Sequence, residues 1–150
     1  MAIKFGEDPI PGFASTKNLE VLKAENAFLK ILNGPNSGCL VPLNSLKMLI
    51  GRNDPPRIIV EIDLTSFELG EIPMISRKHA ECKWVDNKLE IIDLGSSNGT
   101  FVEGKRIPSL RENKAPQPVQ LNSGSRVRFA NLECEIVISS LSLNPGIKRK

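Results

Sequence analysis

The sequence predicts an all-β domain, a sandwich built from short strands. Its runs of Ile, Val, Leu, Phe and Trp are short and are repeatedly interrupted by turn-forming Asn, Asp, Gly and Pro. Polar clusters open or close three of these runs, as expected where the end loops of a sandwich carry a function. With 150 residues, 40% of them hydrophobic, the chain can bury one sizeable core, and two ordinary domains would be crowded.

The first strands are predicted to form an entry hairpin. Residues 27–32 and 39–43 are strand candidates on either side of a dense turn signal, Gly-Pro-Asn-Ser-Gly, at 34–38. The remaining strand candidates are apolar or β-branched runs bounded by turn residues: 48–50, 57–62, 80–85, 88–93, 101–102, 106–107, 119–121, 126–129 and 133–138. Between them, 63–75 is a long connection without periodicity, and 108–117 is predicted to be an exposed loop.

The two ends of the chain are predicted to lie outside the folded domain, which spans 26–140. Residues 1–25 form an extension that is disordered or holds one or two helical turns capped by Ser15 or Thr16. Residues 141–150 form a basic tail. Because the sequence shows no secretory signal and no apolar stretch that could cross a bilayer, we expect an intracellular, cytoplasmic protein, with the nucleus as an alternative.

Composition narrows the classes of function. The net charge of +3 makes the chain mildly basic, which by itself does not indicate the concentrated basic stripe of a nucleic-acid-binding protein. The three cysteines are far apart, fit no paired metal-ligand spacing, and are predicted to be reduced thiols in the core. We therefore predict no metal site and no cofactor.

Two clusters offer donors for an anion. Arg52 can present a guanidinium fork to phosphate oxygens, and Gly51 before it permits torsions or close approaches that a side chain would block. Taken alone, this pair is equally compatible with a surface arginine after a turn. Ser76-Arg77-Lys78 sets a hydroxyl beside two cations, a combination that suits a dianionic phosphate better than a single carboxylate.

The third cluster, Ser97-Asn98-Gly99, and the one histidine of the chain are predicted to organise the loops. His79 is predicted to be a mostly buried imidazole that ties loop backbone together, rather than a ligand or a base. Asn98-Gly99 can take the positive φ values of a tight hairpin. Ser97 adds a hydroxyl, and the Asn98 amide can both donate to and accept from an extended peptide.

Together these clusters resemble the forkhead-associated (FHA) domain, whose motif is a Gly-Arg pair, a Ser-x-x-His and a Ser/Thr-x-Asn-Gly or closely similar turn. The same order occurs here at Gly51-Arg52, at Ser76 to His79 and at Ser97 to Thr100, and the resemblance covers about residues 26–140. It implies a two-sheet β-sandwich of about eleven strands that binds phosphothreonine peptides through loops at one end.

The resemblance also implies a role for each residue. Residues expected to contact the phosphate directly or to assist are Arg52, Ser76 and Arg77. Ser97 would add a hydroxyl contact and Asn98 would hold the peptide main chain. Residues expected to shape the loops without touching the ligand are Gly51, His79 and Gly99. The protein would be an adaptor that reads serine/threonine kinase output, with a phosphothreonine protein as partner and no membrane or small-molecule substrate.

Alternatives from other classes remain. A phosphate-independent scaffold is open, whereas a nucleic-acid or polyanion binder would need more stacking aromatics than one Trp, six Phe and no Tyr. Gly95-Ser96-Ser97-Asn98-Gly99 matches the G-x-S-x-G sequence pattern of a hydrolase nucleophile elbow. Such an elbow requires a helix after the serine and a catalytic histidine downstream of it, whereas here a β-run follows and His79 lies upstream. Arg106 stands where a phosphate-binding loop needs Ser or Thr. We therefore predict a binding protein and not an enzyme.

Two hypotheses concern regions around the site. The long connection carries four carboxylates and no basic residue between Arg57 and Arg77: Glu61, Asp63, Glu68 and Glu71. This acidic loop either lies near the site, where it favours a basic residue or disfavours an acidic one a few positions C-terminal to the phosphothreonine, or is simply solvated. Thr16, once phosphorylated, is a candidate ligand for the site in the same or another molecule.

Overall fold

The computed structural model describes residues 20–112 and 114–139 as a β-sandwich. The strands within these residues are β1 (Ala27–Ile31), β2 (Leu40–Pro42), β3 (Lys47–Gly51), β4 (Ile62–Asp63), β5 (Ala80–Val85), β6 (Lys88–Asp93), β7 (Thr100–Val102), β8 (Lys105–Arg106), β9 (Val119–Leu121), β10 (Arg126–Phe129) and β11 (Leu132–Ile138). A 3₁₀ turn spans Thr65–Phe67. The predicted all-β fold is confirmed.

The strands form two sheets. One has six strands in the order β2-β1-β11-β10-β7-β8, and the other has five in the order β4-β3-β5-β6-β9. Among the described strands every pair is antiparallel except β3 and β4. The chain changes sheet between β6 and β7, so the β6–β7 connection crosses one end of the sandwich.

The core lies between the sheets because alternate residues of each strand point inward. Leu89 and Ile91 of β6 and Val127 and Phe129 of β10 are all buried. Burying a side chain of this size stabilises a fold by about 1.5–3 kcal/mol. The core, to which both sheets contribute, therefore gives the end loops a rigid base.

The cysteine prediction holds for two of the three residues. Cys82 and Cys134 are buried free thiols, and burial raises both pKa values, that of Cys82 to about 12. Cys39 is exposed, because it ends the turn before β2 instead of entering the strand.

One sequence prediction for the connections is wrong, and a second holds with one exception. In 57–62 only Ile62 belongs to a strand, because Asp54 and Ile58 exchange backbone hydrogen bonds of 2.9 and 3.0 Å and close a loop. The loop 108–117 is exposed as predicted over most of its described residues, except that Ser109 is buried and its hydroxyl donates to Asp93 over 2.7 Å.

The chain before β1 shows no helix from residue 20 onward. The side chain of Asn26 accepts the Lys23 amide at 2.8 Å and donates to the Val21 carbonyl at 3.0 Å, holding this stretch in a turn. Ser15 and Thr16, with the rest of the predicted N-terminal helix, and the basic tail 141–150 lie outside the described residues. In the described part of the chain no helix is both long and apolar enough to cross a membrane.

Candidate functional site

Strand register brings the three polar clusters to one end of the sandwich. Ile50 of β3 pairs with Ala80 of β5, and Ala80 pairs with Asp93 of β6. The backbone continues this ladder past the strands, since the His79 amide donates to Ile50 O at 2.9 Å and the Leu94 amide donates to His79 O at 3.0 Å. The loops that follow β3, precede β5 and follow β6 are therefore neighbours.

Gly51 allows two of these loops to touch. A Cβ atom at this position would lie 1.9 Å from the carbonyl oxygen of Arg77 and 2.7 Å from that of Ser76. Both obstacles are backbone atoms, so no rotation of a side chain could relieve the clash. A side chain at position 51 would push the 76–77 loop away from β3.

The Arg52 guanidinium is anchored at one nitrogen. Its Nε donates to the Ile75 carbonyl oxygen over 2.5 Å and lies 3.8 Å from Glu68 Oε2, and its side chain is 28% exposed. Within the described residues, Nη1 and Nη2 have no hydrogen-bond partner. The arginine therefore keeps two parallel donors for an anion while its direction is fixed.

Ser76, Ser97 and Asn98 connect the second and third clusters. The Ser97 amide donates to Ser76 Oγ over 3.0 Å, which leaves the Ser76 hydroxyl hydrogen available for another acceptor. Asn98 Nδ2 donates to the Met74 carbonyl over 2.8 Å, and Ser97 and Asn98 are exposed. Two hydroxyls and the amide oxygen of Asn98 thus stand together at the surface.

His79 lies beneath these loops and holds their backbones. Its ring is fully buried and meets the Phe129 ring edge to face, with centroids 5.8 Å apart. Nδ1 accepts the Ser76 amide at 3.0 Å, so Nε2 carries the hydrogen and donates to Gly99 O at 2.9 Å. Burial lowers the pKa of His79, and the opposing effects of the Gly99 hydrogen bond and of nearby carboxylates do not cancel this shift.

Arg77 forms an ion pair with a carboxylate at the surface. Its Nη1 donates to Asp54 Oδ2 over 2.7 Å, and Arg57 Nη1 donates to the same oxygen over 3.2 Å. The hydrogen bond from Arg77 is the main reason that the pKa of Asp54 lies below its usual range. A phosphate at this position would share Arg77 with Asp54.

A buried carboxylate that the sequence did not single out organises the β6–β7 loop. Asp93 accepts hydroxyl hydrogen bonds from Ser96, Thr100 and Ser109 at 2.6–2.7 Å and amide hydrogen bonds from Gly95 and Ser96 at 3.0 Å. Burial alone would raise the pKa of Asp93, but these donors outweigh it and the pKa is lowered. An Asp followed two and three residues later by Gly and Ser is a signal for such a turn, whereas nothing in the sequence indicates Ser109.

The β6–β7 loop differs from the predicted hairpin. Of the predicted turn pair Asn98-Gly99, only Gly99 has a positive φ, of 89°. The loop joins β6 and β7, which belong to different sheets, so no hairpin turn is required here.

Three of the four carboxylates of the acidic connection accept backbone hydrogen bonds. Glu61 accepts the Leu49 amide at 2.7 Å, and Asp63 accepts the Asn53 and Thr65 amides at 3.1 Å. Glu68 also accepts backbone amides, which leaves one of the four carboxylates, that of Glu71, without a hydrogen bond in the described part of the chain. In the same part, no group of three or more His, Cys, Asp or Glu side chains could hold a metal ion.

Comparison with known proteins identifies related chains. The model of the FHA domain family matches residues 48–130. The oxoglutarate dehydrogenase inhibitor of Corynebacterium glutamicum is 34% identical over 83 residues, which is 55% of this chain and 51% of that protein. The chain spans about half the length of the curated relatives it matches.

Two solved structures superpose on most of the chain. The FHA domain of the CT664 protein from Chlamydia trachomatis has a TM-score of 0.56 at 28% identity and covers 75% of this chain and 96% of that one. EmbR of Mycobacterium tuberculosis, solved with a low-affinity phosphopeptide, has a TM-score of 0.55 at 28% identity and covers 76% of this chain and 24% of that one.

Proposed function

Because this chain belongs to the FHA domain family, we propose that it binds phosphothreonine peptides through the loops that follow β3, precede β5 and follow β6. The observation that carries the proposal is the convergence of Arg52, Ser76, Ser97 and Asn98 at one end of the sandwich. The phosphopeptide in the similar EmbR structure supports the same ligand class. The matched domain is a binding module and not an enzyme.

Each donor suits a part of a dianionic phosphate. The two free Nη groups of Arg52 would form a fork to two phosphate oxygens, and the Ser76 hydroxyl would donate to one of them. Arg77 would contribute charge from the edge while it remains near Asp54. Ser97 would add a hydroxyl, and the Asn98 amide oxygen would accept a main-chain N–H of the peptide.

The proposal extends to the domain organisation and the cellular role. We assign the binding domain to 26–140, with 1–25 and 141–150 as extensions, and a role as an adaptor that reads kinase output. The names of two relatives, an oxoglutarate dehydrogenase inhibitor and a glycogen accumulation regulator, support a regulatory role. A cytoplasmic location, or alternatively a nuclear one, belongs to the same proposal, because all three cysteines are free thiols, as is usual in reducing compartments.

The test is a fluorescence anisotropy titration with three degenerate peptide pools that carry phosphothreonine, phosphoserine or unphosphorylated threonine at a fixed position. We expect binding to the phosphothreonine pool that excess duplex DNA does not compete away. Equal binding to all three pools would favour a phosphate-independent scaffold. Binding that DNA abolishes and that falls steeply with salt would indicate a polyanion binder.

A further inference from the structure

Glu68 uses both carboxylate oxygens inside the site. Oε1 accepts the Met74 amide at 3.1 Å and Oε2 accepts the Ile75 amide at 2.9 Å. The side chain is only 9% exposed. Its contact with the Ile75 amide is partly buried, whereas its contact with the Met74 amide lies at the surface. One side chain thereby fixes two consecutive peptide groups of the loop before β5.

The same two residues hold ligand-contacting side chains of the other loops. The Ile75 carbonyl accepts Arg52 Nε at 2.5 Å, and the Met74 carbonyl accepts Asn98 Nδ2 at 2.8 Å. Arg52 follows β3 and Asn98 follows β6. Among the described residues, the backbone of residues 74–75 is therefore the one segment that accepts hydrogen bonds from both Arg52 and Asn98.

The charge of Glu68 acts on Arg52 as well. Its Oε2 lies 3.8 Å from Arg52 Nε, at the edge of ion-pair distance. A carboxylate on the Nε side favours the orientation in which the Nη groups point away from it, which leaves the fork for the phosphate.

We infer that Glu68 is a positioning residue of the phosphopeptide site, which couples Arg52 and Asn98 through the backbone of Met74 and Ile75 without contacting the ligand. The inference rests on the proposed function for its binding consequences. It gives Glu68 a role that differs from the selection of a basic peptide residue by the acidic loop.

Glutamate is the side chain that suits this position. Two amides on consecutive residues need two acceptor atoms, and a carboxylate provides both. Glutamine would retain one acceptor and lose the charge, and alanine would leave both amides without their partner. The order of affinities expected from positioning is therefore Glu, then Gln, then Ala.

The binding test uses one phosphothreonine peptide, the tightest binder drawn from the degenerate pool. We expect Glu68→Ala to weaken binding about 10-fold and Glu68→Gln to fall between it and the wild type, within the range of coupling energies between contacting residues. Glu71→Ala removes an exposed carboxylate from the same loop and should change the affinity less than about 2-fold.

A double-mutant cycle with Asn98→Ala tests the coupling itself. If Glu68 acts through the loop that holds Asn98, the double variant should bind within about 3-fold of the weaker single variant, because the two losses overlap. Fully additive losses, or an Ala variant that binds as tightly as or more tightly than the wild type, would overturn the inference. Tighter binding would identify Glu68 as an anion that competes with the phosphate.

A ligand-free measurement separates this inference from the proposed function. In the NMR spectrum of the unliganded protein, the Arg52 Nε–H signal should exchange slowly with water because Ile75 O accepts it. Glu68→Ala should accelerate that exchange, whereas Glu71→Ala should not. If the wild type binds no phosphopeptide, the proposed function fails. If the exchange rate of the Arg52 Nε–H is unchanged in Glu68→Ala, the positioning role of Glu68 fails, whatever the outcome of the binding test.

Discussion

His79 Nε2 donates to the carbonyl oxygen of Gly99 over 2.9 Å, and this buried bond helps to join the loop before β5 to the loop before β7. The opposite ring nitrogen accepts the Ser76 amide. Only the neutral imidazole with its hydrogen on Nε2 can make both contacts. The geometry of the binding loops therefore depends on the protonation state of one buried side chain.

The stability of the ligand-free protein should fall as the pH drops below about 6.5, the ordinary pKa of histidine. Burial lowers the pKa of His79 in the folded state, so between that value and 6.5 the unfolded chain binds more protons and is favoured. Urea unfolding between pH 8 and 5 measures this loss.

His79→Gln provides the control for this pH dependence, because His79 is the only histidine of the chain. The variant should be less stable at pH 8 by about 2–3 kcal/mol, through the loss of buried hydrogen bonds and packing. Its stability should be nearly constant between pH 8 and 6. A slope equal to that of the wild type in this range would contradict the assignment.

Asp93→Asn should destabilise the protein by about 3 kcal/mol, because an amide cannot accept the five hydrogen bonds that converge on the carboxylate. Ser109→Ala removes a single donor and should cost about 1 kcal/mol. Denaturant unfolding at pH 7 compares the two variants. Equal stability of Asp93→Asn and the wild type would mean that the buried charge is not required.

Gly51→Ala should destabilise the fold by about 2–4 kcal/mol, since the new methyl group would overlap the Arg77 carbonyl. Gly70 is a suitable comparison, because a Cβ there meets nothing within 4 Å. Gly70→Ala should remain within about 0.5 kcal/mol of the wild type. Thermal unfolding of both proteins gives the answer, and similar losses at the two positions would refute the steric argument.

Asp54→Asn should strengthen phosphothreonine peptide binding about 2- to 5-fold, because it releases Arg77 from an exposed ion pair that contributes little to stability. Asp86→Asn removes a carboxylate from the turn at the opposite end of the sandwich and should leave the affinity unchanged. Anisotropy titrations at low ionic strength compare them. Weaker binding by Asp54→Asn would show that Asp54 holds Arg77 in its productive position.

Local chemistry made much of the fold predictable. The β5–β6 hairpin has the predicted bounds, and both of its turn residues, Asp86 and Asn87, have positive φ values of 51° and 65°. Such a turn is specified by neighbouring residues alone. The run at 57–62 has strand-like composition, but the backbone pairing of Asp54 with Ile58 takes it out of the sheet, and composition does not report that pairing.

The site, like the fold, has features that the sequence predicts and features that it does not. Motif order predicted which loops meet, and the register of Ile50, Ala80 and Asp93 brings them together. The contacts of Ser109 and Glu68 could not be predicted, because each joins segments whose proximity arises only after folding. The contacts of the predicted ligand residues with a phosphopeptide remain a prediction.

The most direct measurement is the affinity of Arg52→Ala for a phosphothreonine peptide, with Arg126→Ala as the matched control. Arg126 is an exposed arginine of β10 at the opposite end of its strand from the site, so its removal lowers the net charge equally. We expect Arg52→Ala to lose about 2–5 kcal/mol of binding free energy, Arg52→Lys to recover only part, and Arg126→Ala to bind normally. Binding by Arg52→Ala at wild-type affinity would contradict the proposed site.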